Sequence, residues 1–390
     1  MLNVTKLYCG ISQPADALRY GQGEQAPRTA QLRRPVVVWN ITRTCNLRCV
    51  HCYAGSEAKP YPGELTLPEC KALLADLAQF KVPAVLLSGG EPLVHPHFFK
   101  LAGCALSLGL RLTLSTNGIL INPQTAARLR AFNFAYVGIS LDGIGEAHDK
   151  FRGREGAFAL AVEAFRNCKA AGQKAGLRLT LSRNNIADLD RILDFVEAEA
   201  IERVCFYHLV HSGRGADLQM ASLQETRAAL DRIISRTAQW AKTGREVLTV
   251  GQPVDGVYLY LRLLREGQGE RAAEARKLLE WNGGGAFGSG VGIGNIDSFG
   301  NVHPDQFWQT HTIGNVRHQP FSAIWQNSQD PLLLGLRRRD AQITGRCAQC
   351  QFLKLCGGGF RVRAAHATGN PWAPDPSCYL TDAEIAENPK

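Results

Sequence analysis

The chain has no run of apolar residues long enough to cross a membrane, and its first residues lack an export signal. A membrane-spanning helix needs about 20 consecutive apolar residues, and no stretch of the 390-residue sequence provides them. Residues 1–8 contain neither the basic nor the apolar segment of a signal peptide. We therefore expect a cytoplasmic protein that has no membrane contact.

The sequence also lacks a basic stripe interleaved with aromatic residues, the pattern of proteins that bind single-stranded nucleic acid. Its net charge of +9 favours an anionic partner. Charge alone does not choose between a phosphate and a polycarboxylate, but nothing in the pattern indicates a nucleic acid. A hydrophobic fraction of 45% is sufficient for a folded core.

Cysteine is plentiful, with twelve residues. Without an export signal, this number points to metal ligation rather than to disulfide bonds. Five cysteines are isolated in mostly apolar surroundings and are expected in the core: Cys9, Cys70, Cys104, Cys168 and Cys205. The other seven fall into two groups with ligand-like spacing.

Short β-rich runs alternate with helical segments through the first half of the chain. The expected strands are residues 36–41, 84–87, 111–115, 135–140, 177–181 and 203–208, and the clearest helices are 68–80 and 158–171. Six β-α units with right-handed crossovers predict an α/β fold with a parallel sheet, curved into a partial (β/α)6 barrel. By analogy with complete barrels, active groups should follow the C-terminal ends of the strands.

The pattern divides the chain into four regions. Residues 1–34 read as a poorly ordered N-terminal lead-in and residues 35–220 as the barrel core. Residues 221–290 are largely helical and connect this core to a C-terminal region, 291–390. That region begins with a hairpin at 295–302 and ends in a loop-rich cysteine segment.

The first cysteine group, Cys45, Cys49 and Cys52, has the spacing C-x3-C-x2-C directly after the first strand. Three thiolates on one tight loop suit a [4Fe-4S] cluster with one open iron, because a complete cage needs a fourth cysteine. A zinc site that includes His51 is the alternative. Structural zinc usually takes two separated ligand pairs, which favours the cluster.

The second group, Cys347, Cys350, Cys356 and Cys378, has the spacing C-x2-C-x5-C-x21-C. Four cysteines can close either a [4Fe-4S] cage or a zinc tetrahedron. Spacing alone leaves both open.

The C-x3-C-x2-C spacing resembles the signature of the radical S-adenosylmethionine (SAM) enzymes. In that family the open iron chelates SAM, and the reduced cluster releases a 5'-deoxyadenosyl radical that removes a hydrogen from the substrate. Three further motifs match the family. Gly-Gly-Glu-Pro follows the second strand, Thr-Asn-Gly follows the third strand, and the polar sequence Ser-Leu-Asp-Gly ends the fourth strand. The resemblance implies SAM contacts from His51, Gly89, Gly90, Glu91, Asn117, Ser140, Asp142, Arg152 and Leu209.

The second cysteine group is similar to the distal auxiliary cluster of SPASM domains, the C-terminal extensions of many radical SAM enzymes. The resemblance therefore implies two [4Fe-4S] clusters and SAM as cofactors. Asp305 and Phe360 stand where further SPASM cysteines are expected, so a second auxiliary cluster should be missing. Its absence would leave room above the barrel for a bulky substrate.

Five stretches carry a closer resemblance within the family: residues 36–53, 88–96, 151–158, 290–308 and 347–379. Along nearly its whole length, the chain resembles the branch of heme d1 biosynthesis and the siroheme-dependent heme pathway. This implies removal of propionate side chains from didecarboxysiroheme, an iron tetrapyrrole. An electron donor such as flavodoxin or ferredoxin and a monomeric state are also expected. Substrate contacts are expected from His208, His211, Arg214, His303, Asp305, Arg361 and Arg363, although each could instead have an ordinary polar role in a loop.

Four alternatives remain at this stage. The first is a relative that trims different side chains of the same ring. The second is a SPASM-type peptide maturase, but few residues precede the first strand for the peptide-recognition domain that such enzymes commonly carry. A sulfatase-maturing enzyme should keep all SPASM cysteines. An electron carrier with two clusters would not need the Gly-Gly-Glu-Pro motif or the pair of Ser140 and Arg152.

Overall fold

A largely parallel β-sheet forms the centre of the protein. The computed structural model describes residues 1–21 and 34–386. Within these residues, one sheet contains β1 Leu2–Asn3, β2 Val36–Thr42, β3 Val85–Gly89, β4 Leu112–Thr116, β5 Tyr136–Ser140, β6 Ala175–Leu181, β7 Arg203–His208, β8 Glu246–Val250, β9 Ile293–Ile296, β10 Asn301–His303 and β11 Gly314–Asn315. Its strand order is β1-β8-β7-β6-β5-β4-β3-β2-β9-β10-β11. Strands from β9 through β2 to β8 are parallel, whereas β1, β10 and β11 are antiparallel to their neighbours.

Helices connect these strands and form most of the C-terminal region. They are α1 Val4–Cys9, α2 Asp16–Tyr20, α3 Leu67–Gln79, α4 Phe98–Ser107, α5 Pro123–Ala131, α6 Glu146–Arg152, α7 Ala157–Ala170, α8 Leu189–Ala198, α9 Leu223–Gln239, α10 Val254–Arg265, α11 Gly269–Asn282, α12 Phe321–Asn327, α13 Pro331–Arg337, α14 Gly345–Ala348, α15 Leu353–Cys356, α16 Arg361–Thr368 and α17 Asp382–Ala386. In the described part of the chain, no helix combines the length and apolar character needed to span a membrane.

Strands β2 to β7 confirm the predicted alternation of strands and helices. Each lies within one or two residues of its predicted position. The sequence of β2 is Val-Val-Val-Trp-Asn-Ile-Thr, and nearly all of it is buried, as expected for a parallel strand with both faces covered. Helix α3 begins at the capping box formed by Thr66 and Glu69, as predicted. The α/β fold with a parallel sheet is therefore confirmed.

Two further parallel strands were not predicted. Strand β8 lies between α9 and α10, in the region expected to be largely helical, and pairs with β7. Strand β9, part of the predicted hairpin, pairs in parallel with β2 from Val36↔Ile293 to Trp39↔Ile296. The sheet consequently contains strands from all four of the proposed regions, and the C-terminal hairpin is joined directly to the first barrel strand.

The expectation of a poorly ordered lead-in is wrong for residues 1–21, and residues 22–33 lie outside the described residues. Leu2 and Asn3 pair with β8. The Thr5 hydroxyl donates to the Arg245 carbonyl oxygen at 2.9 Å, and Leu7 is fully buried. Burial of these side chains stabilises the segment at the edge of the sheet.

Candidate active site

The first cysteine group lies on a loop directly after β2, at the C-terminal ends of the parallel strands. Cys45 and Cys49 are 7% and 8% exposed. The Leu47 amide donates to Cys45 Sγ at 3.4 Å, and Arg152 Nη1 donates to Cys49 Sγ at 3.5 Å. Such N–H···S bonds also accompany the thiolate ligands of iron–sulfur clusters and tune their potential.

The end of β3 holds one side of this cysteine loop. The Gly90 amide donates to the Thr42 carbonyl oxygen at 2.7 Å, and the Glu91 amide donates to the Thr44 carbonyl oxygen at 3.0 Å. A Cβ atom on Gly90 would lie 2.1 Å from the Thr44 oxygen, so no larger residue fits without displacing the loop. The glycines of the Gly-Gly-Glu-Pro motif therefore permit a close contact between the backbone at the end of β3 and the backbone of the cysteine loop.

The segment after β7 holds the other side. Gly213 has a φ of +54°, and a Cβ there would lie 2.3 Å from the Tyr53 carbonyl oxygen. The Arg214 amide donates to the Cys52 carbonyl oxygen at 3.0 Å, and Arg214 Nε donates to the Cys49 carbonyl oxygen at 2.8 Å. The three thiols are thus fixed on a loop whose backbone is bonded to two different strand ends.

Three thiols on one loop are the donor set that leaves one iron of a [4Fe-4S] cluster open. Burial raises the pKa of the Cys45 thiol to about 12. Across residues 1–21 and 34–386, no three His, Cys, Asp or Glu side chains lie close enough together to hold a metal ion, and this includes the three thiols of the loop. The match to a cluster therefore rests on the type and spacing of the donors.

A cavity opens beside the three cysteines. The residues predicted to contact SAM that line it are His51, Gly89, Gly90, Asn117, Ser140, Arg152 and Leu209. Glu91 and Asp142 do not line it; both are buried behind its wall. The strand ends therefore bring most of the predicted SAM residues together around one space, which we call the cluster-side cavity.

Glu91 ties the ends of two strands together. Its carboxylate accepts hydrogen bonds from the Thr116 hydroxyl at 2.8 Å, the Asn117 amide at 2.8 Å and the Leu93 amide at 3.0 Å. Burial raises the pKa of Glu91 to about 7 although these donors lower it. The side chain positions the adjacent Gly90 and Asn117 and does not face the cavity.

Arg152 forms a buried ion pair with Asp142. Burial alone would raise the pKa of Asp142, but the Arg152 guanidinium holds it below its ordinary value. The Asp142 carboxylate also accepts from the Thr180 amide at 2.7 Å, and Arg152 Nε is buried without a partner. The pair fixes the guanidinium at the cavity wall and leaves one N–H group available.

His51 also lines this cavity. Burial lowers the pKa of its imidazole to about 4, so the ring is neutral at physiological pH. Its Nδ1 atom is buried without a partner, and the ring packs on Phe151 with centroids 4.7 Å apart.

The second cysteine group lies at α14, α15 and the segment before α17. Burial, together with the charges of Cys350, Cys378 and Cys347, raises the pKa of the Cys356 thiol to about 12. The Phe352 amide donates to Cys350 Sγ at 3.4 Å. Four cysteines are the donor set of a closed [4Fe-4S] cage, although within the described residues they are not grouped closely enough to hold a metal ion.

Asp305 and Phe360, which stand where further cysteines were expected, have different roles here. The Asp305 carboxylate accepts from the Ser289 hydroxyl and from the Phe307 amide. The Phe360 ring packs edge-on against Phe307 at 5.7 Å, and Phe307 packs against Tyr53 at 5.5 Å. An aromatic row thus connects the two cysteine regions.

A second cavity, of about 660 Å³, lies between the strand ends and the C-terminal region. Its wall contains aromatic, imidazole and polar side chains, including Tyr53, Phe299, Phe307, Trp308, His211, His366 and Gln309. Among the described lining residues, Arg43 is the one with a cationic side chain and Asp297 the one with a carboxylate. We call this space the large cavity. Tyr53 and Phe307 line both the large cavity and the cluster-side cavity, so the two spaces adjoin.

Of the predicted substrate residues, His211 lines the large cavity, whereas His208 and Arg214 line the cluster-side cavity. His208 Nε2 lies 2.9 Å from the carboxylate of Asp255, which also accepts from the Tyr379 hydroxyl at 2.6 Å.

The other four predicted substrate residues lie in packing networks outside both cavity linings. His303 Nδ1 lies 2.7 Å from the His311 carbonyl oxygen. Arg361 binds backbone carbonyl oxygens near its own helix, and Arg363 pairs with the Asp375 carboxylate at 2.9 Å. The Asp305 carboxylate accepts from Ser289 and Phe307.

Sequence reasoning missed Arg43, Tyr53, Phe307 and His366. Arg43 and Tyr53 flank the cysteine motif, and their positions next to it were an available signal. Phe307 and His366 carry no local motif, because their proximity to the site depends on how the C-terminal region folds back.

Comparisons with known proteins agree with this geometry. Residues 39–196 match the model of the radical SAM superfamily. The chain is 47% identical to the Fe-coproporphyrin III synthase of Methanosarcina barkeri, over 99% of both chains. It is 44% identical to the pre-heme d1 synthase of Dinoroseobacter shibae, over 92% of this chain and 89% of the relative.

Solved structures support the fold. Streptococcus suis SuiB bound to a precursor peptide superposes with a TM-score of 0.70 over 90% of this chain and 77% of that one. The sequence identity is 18%, so this likeness concerns the fold alone.

Proposed function

The chain belongs to the radical SAM superfamily and to its heme-pathway enzymes, and we propose that it removes carboxylate-bearing side chains from didecarboxysiroheme. The large cavity is the observation that carries this proposal. Its volume of about 660 Å³ and its aromatic wall suit a flat, bulky ring. Arg43 lies on that wall and suits a carboxylate of the substrate, because its planar fork can bind both oxygens.

The position of the large cavity supports radical chemistry on a bound ring. Tyr53 directly follows Cys52 in the cysteine loop, and its ring lines both cavities. A ring in the large cavity would present a side chain past Tyr53 and Phe307 toward the cluster-side cavity. The buried aromatic row on this boundary would exclude water from the reacting atoms.

We propose that Cys45, Cys49 and Cys52 hold the [4Fe-4S] cluster that binds SAM. When bound and reduced, this cluster with SAM supplies a 5'-deoxyadenosyl radical, which removes a hydrogen atom from substrate. Gly89 and Gly90 bring their backbone to the SAM amino group, and Arg152 binds its carboxylate through the unpaired Nε–H group.

The second cysteine group, Cys347, Cys350, Cys356 and Cys378, is proposed to hold an auxiliary [4Fe-4S] cluster. A flavodoxin or ferredoxin would supply the electron for SAM cleavage. We further propose that the protein acts in the cytoplasm as a monomer.

The two relatives favour two different products of the proposed reaction. The heme d1 assignment made from the sequence gives loss of propionate groups, and the 44% identity to a pre-heme d1 synthase supports it. The 47% identity to an Fe-coproporphyrin III synthase over 99% of both chains favours the second candidate, which trims other side chains of the same ring.

Anaerobic incubation with didecarboxysiroheme, SAM and reductant separates these candidates. The product is compared by chromatography and mass with authentic Fe-coproporphyrin III and pre-heme d1. Either product supports side-chain removal from the tetrapyrrole. Turnover of a peptide with no response to the tetrapyrrole would overturn the proposal in favour of a peptide maturase.

A further inference from the structure

Two imidazoles stack on the wall of the large cavity. The rings of His211 and His366 have centroids 4.7 Å apart and planes within 4° of parallel. Within the described residues, neither ring has a hydrogen-bond partner. By contrast, His208 faces the Asp255 carboxylate, and His303 faces a backbone carbonyl oxygen.

From this pair we propose that His211 is the axial ligand of the iron in the substrate, and that His366 is a positioning residue stacked against it. The inference rests on the proposed function, because it requires an iron tetrapyrrole in the large cavity. Neutral imidazole is a common ligand of tetrapyrrole iron.

The backbone around His211 is fixed by the active site itself. The adjacent Ser212 donates its hydroxyl to the Phe307 carbonyl oxygen at 3.0 Å. The next residue, Gly213, lies against the carbonyl oxygens of Cys52 and Tyr53 and has no room for a Cβ atom. A ligand on this segment therefore has a fixed position relative to the cysteine loop, as preorganised binding requires.

The same segment spans both cavities. Leu209 and Val210 line the cluster-side cavity, whereas His211 and Ser212 line the large cavity. Iron bound to His211 would therefore place the centre of the ring at a set distance from the SAM site. Ligation would select which side chains of the ring reach that site.

The charge state of His211 suits a ligand. Burial lowers the pKa of its imidazole, and the charges of His366 and Arg363 lower it further. The ring is thus neutral at physiological pH, with a lone pair for the metal.

Only one imidazole of the pair can bind a given iron. The nitrogen lone pairs lie in the ring planes, and two face-to-face rings cannot both direct them at one atom between them. His211 lies on the fixed segment and is half-buried, whereas His366 is exposed on α16. His211 is therefore the ligand, and His366 limits its rotation.

The test is an anaerobic titration of reconstituted full-length protein with ferric didecarboxysiroheme, without SAM, followed by absorption and electron paramagnetic resonance. Wild-type protein should give a nitrogen-ligated spectrum. His211→Ala should lose that spectrum, weaken binding at least about tenfold and recover the spectrum on addition of free imidazole. His211→Gln serves as a second variant that keeps a polar side chain.

His366→Ala should keep the spectrum but weaken binding by about tenfold, as expected for a group that orients a ligand. His318→Ala is the matched control, because His318 is exposed and lies outside the lining of the large cavity.

A nitrogen-ligated spectrum that survives in both His211 variants would overturn the ligation while leaving tetrapyrrole binding intact. Failure of wild-type protein to bind the tetrapyrrole at all would instead overturn the proposed function.

Discussion

Replacement of Gly90 by alanine tests whether the backbone contact at the end of β3 sets the position of the cysteine loop. The added methyl group would lie 2.1 Å from the Thr44 carbonyl oxygen and 2.7 Å from the Arg43 carbonyl oxygen. Reaching even 3.0 Å from the nearer oxygen, the shortest distance that real Cβ atoms show, requires a shift of about 0.9 Å. Both atoms belong to backbone next to Cys45, so the loop itself must move.

The expected cost follows from this displacement. Overpacking of this kind typically destabilises a protein by about 1–3 kcal/mol, which a chain of this size should survive. A misplacement of about 1 Å near reacting groups can lower a rate about 100-fold. Gly90→Ala should therefore remain folded, bind less iron at the cysteine loop and cleave SAM about 100-fold more slowly.

The assay combines iron analysis, unfolding and 5'-deoxyadenosine formation on anaerobically reconstituted protein. Gly269→Ala is the matched control, since an added methyl group there has no atom within 4 Å. It should keep full iron content and activity. Wild-type iron content and SAM cleavage in Gly90→Ala would refute the argument that this contact fixes the loop.

Three further predictions concern metal, SAM and pH. Anaerobically reconstituted wild-type protein should hold about eight irons. Cys45→Ala should hold about four irons and should not cleave SAM. Zinc bound at the C-terminal cysteine group would contradict the second cluster. Arg152→Ala should weaken SAM binding by about 1.5–3 kcal/mol with both clusters intact. Adding Asp142→Asn to this variant should restore the stability of the protein but not its affinity for SAM. An unchanged SAM affinity in Arg152→Ala would exclude a contact between Arg152 and SAM. Burial raises the pKa of Glu91 from 4.5 to about 7, so the folded state binds the proton more tightly. As the pH rises from 4.5 to about 7, the unfolding free energy should then fall by about 3 kcal/mol. Glu91→Gln should remove this fall, and a variant with the same pH profile as wild type would contradict the raised pKa of Glu91.

Local patterns were sufficient to predict the barrel strands and the cysteine loop. Strands β2 to β7 are apolar runs separated by helices, and parallel topology brings their C-terminal ends to one edge. Residues such as Gly90, Asn117 and Ser140, which immediately follow or end these strands, therefore come together without knowledge of distant contacts.

Features that depend on distant parts of the chain could not be read in this way. Strand β1 is two residues long and pairs with β8 across most of the sequence. The stack of His211 and His366 forms only when α16 folds back over the strand ends. Likewise, Arg361 and Arg363 resemble substrate ligands in sequence, but burial requires them to pair with backbone and Asp375.

Transfer of a labelled hydrogen from the tetrapyrrole to 5'-deoxyadenosine would show that the SAM-derived radical acts on the side chains of the ring. Didecarboxysiroheme carrying deuterium on its side-chain carbons would be incubated anaerobically with the enzyme, SAM and reductant. We expect 5'-deoxyadenosine that contains deuterium, formed together with a tetrapyrrole that has lost side-chain mass. Unlabelled 5'-deoxyadenosine beside an intact tetrapyrrole would contradict it.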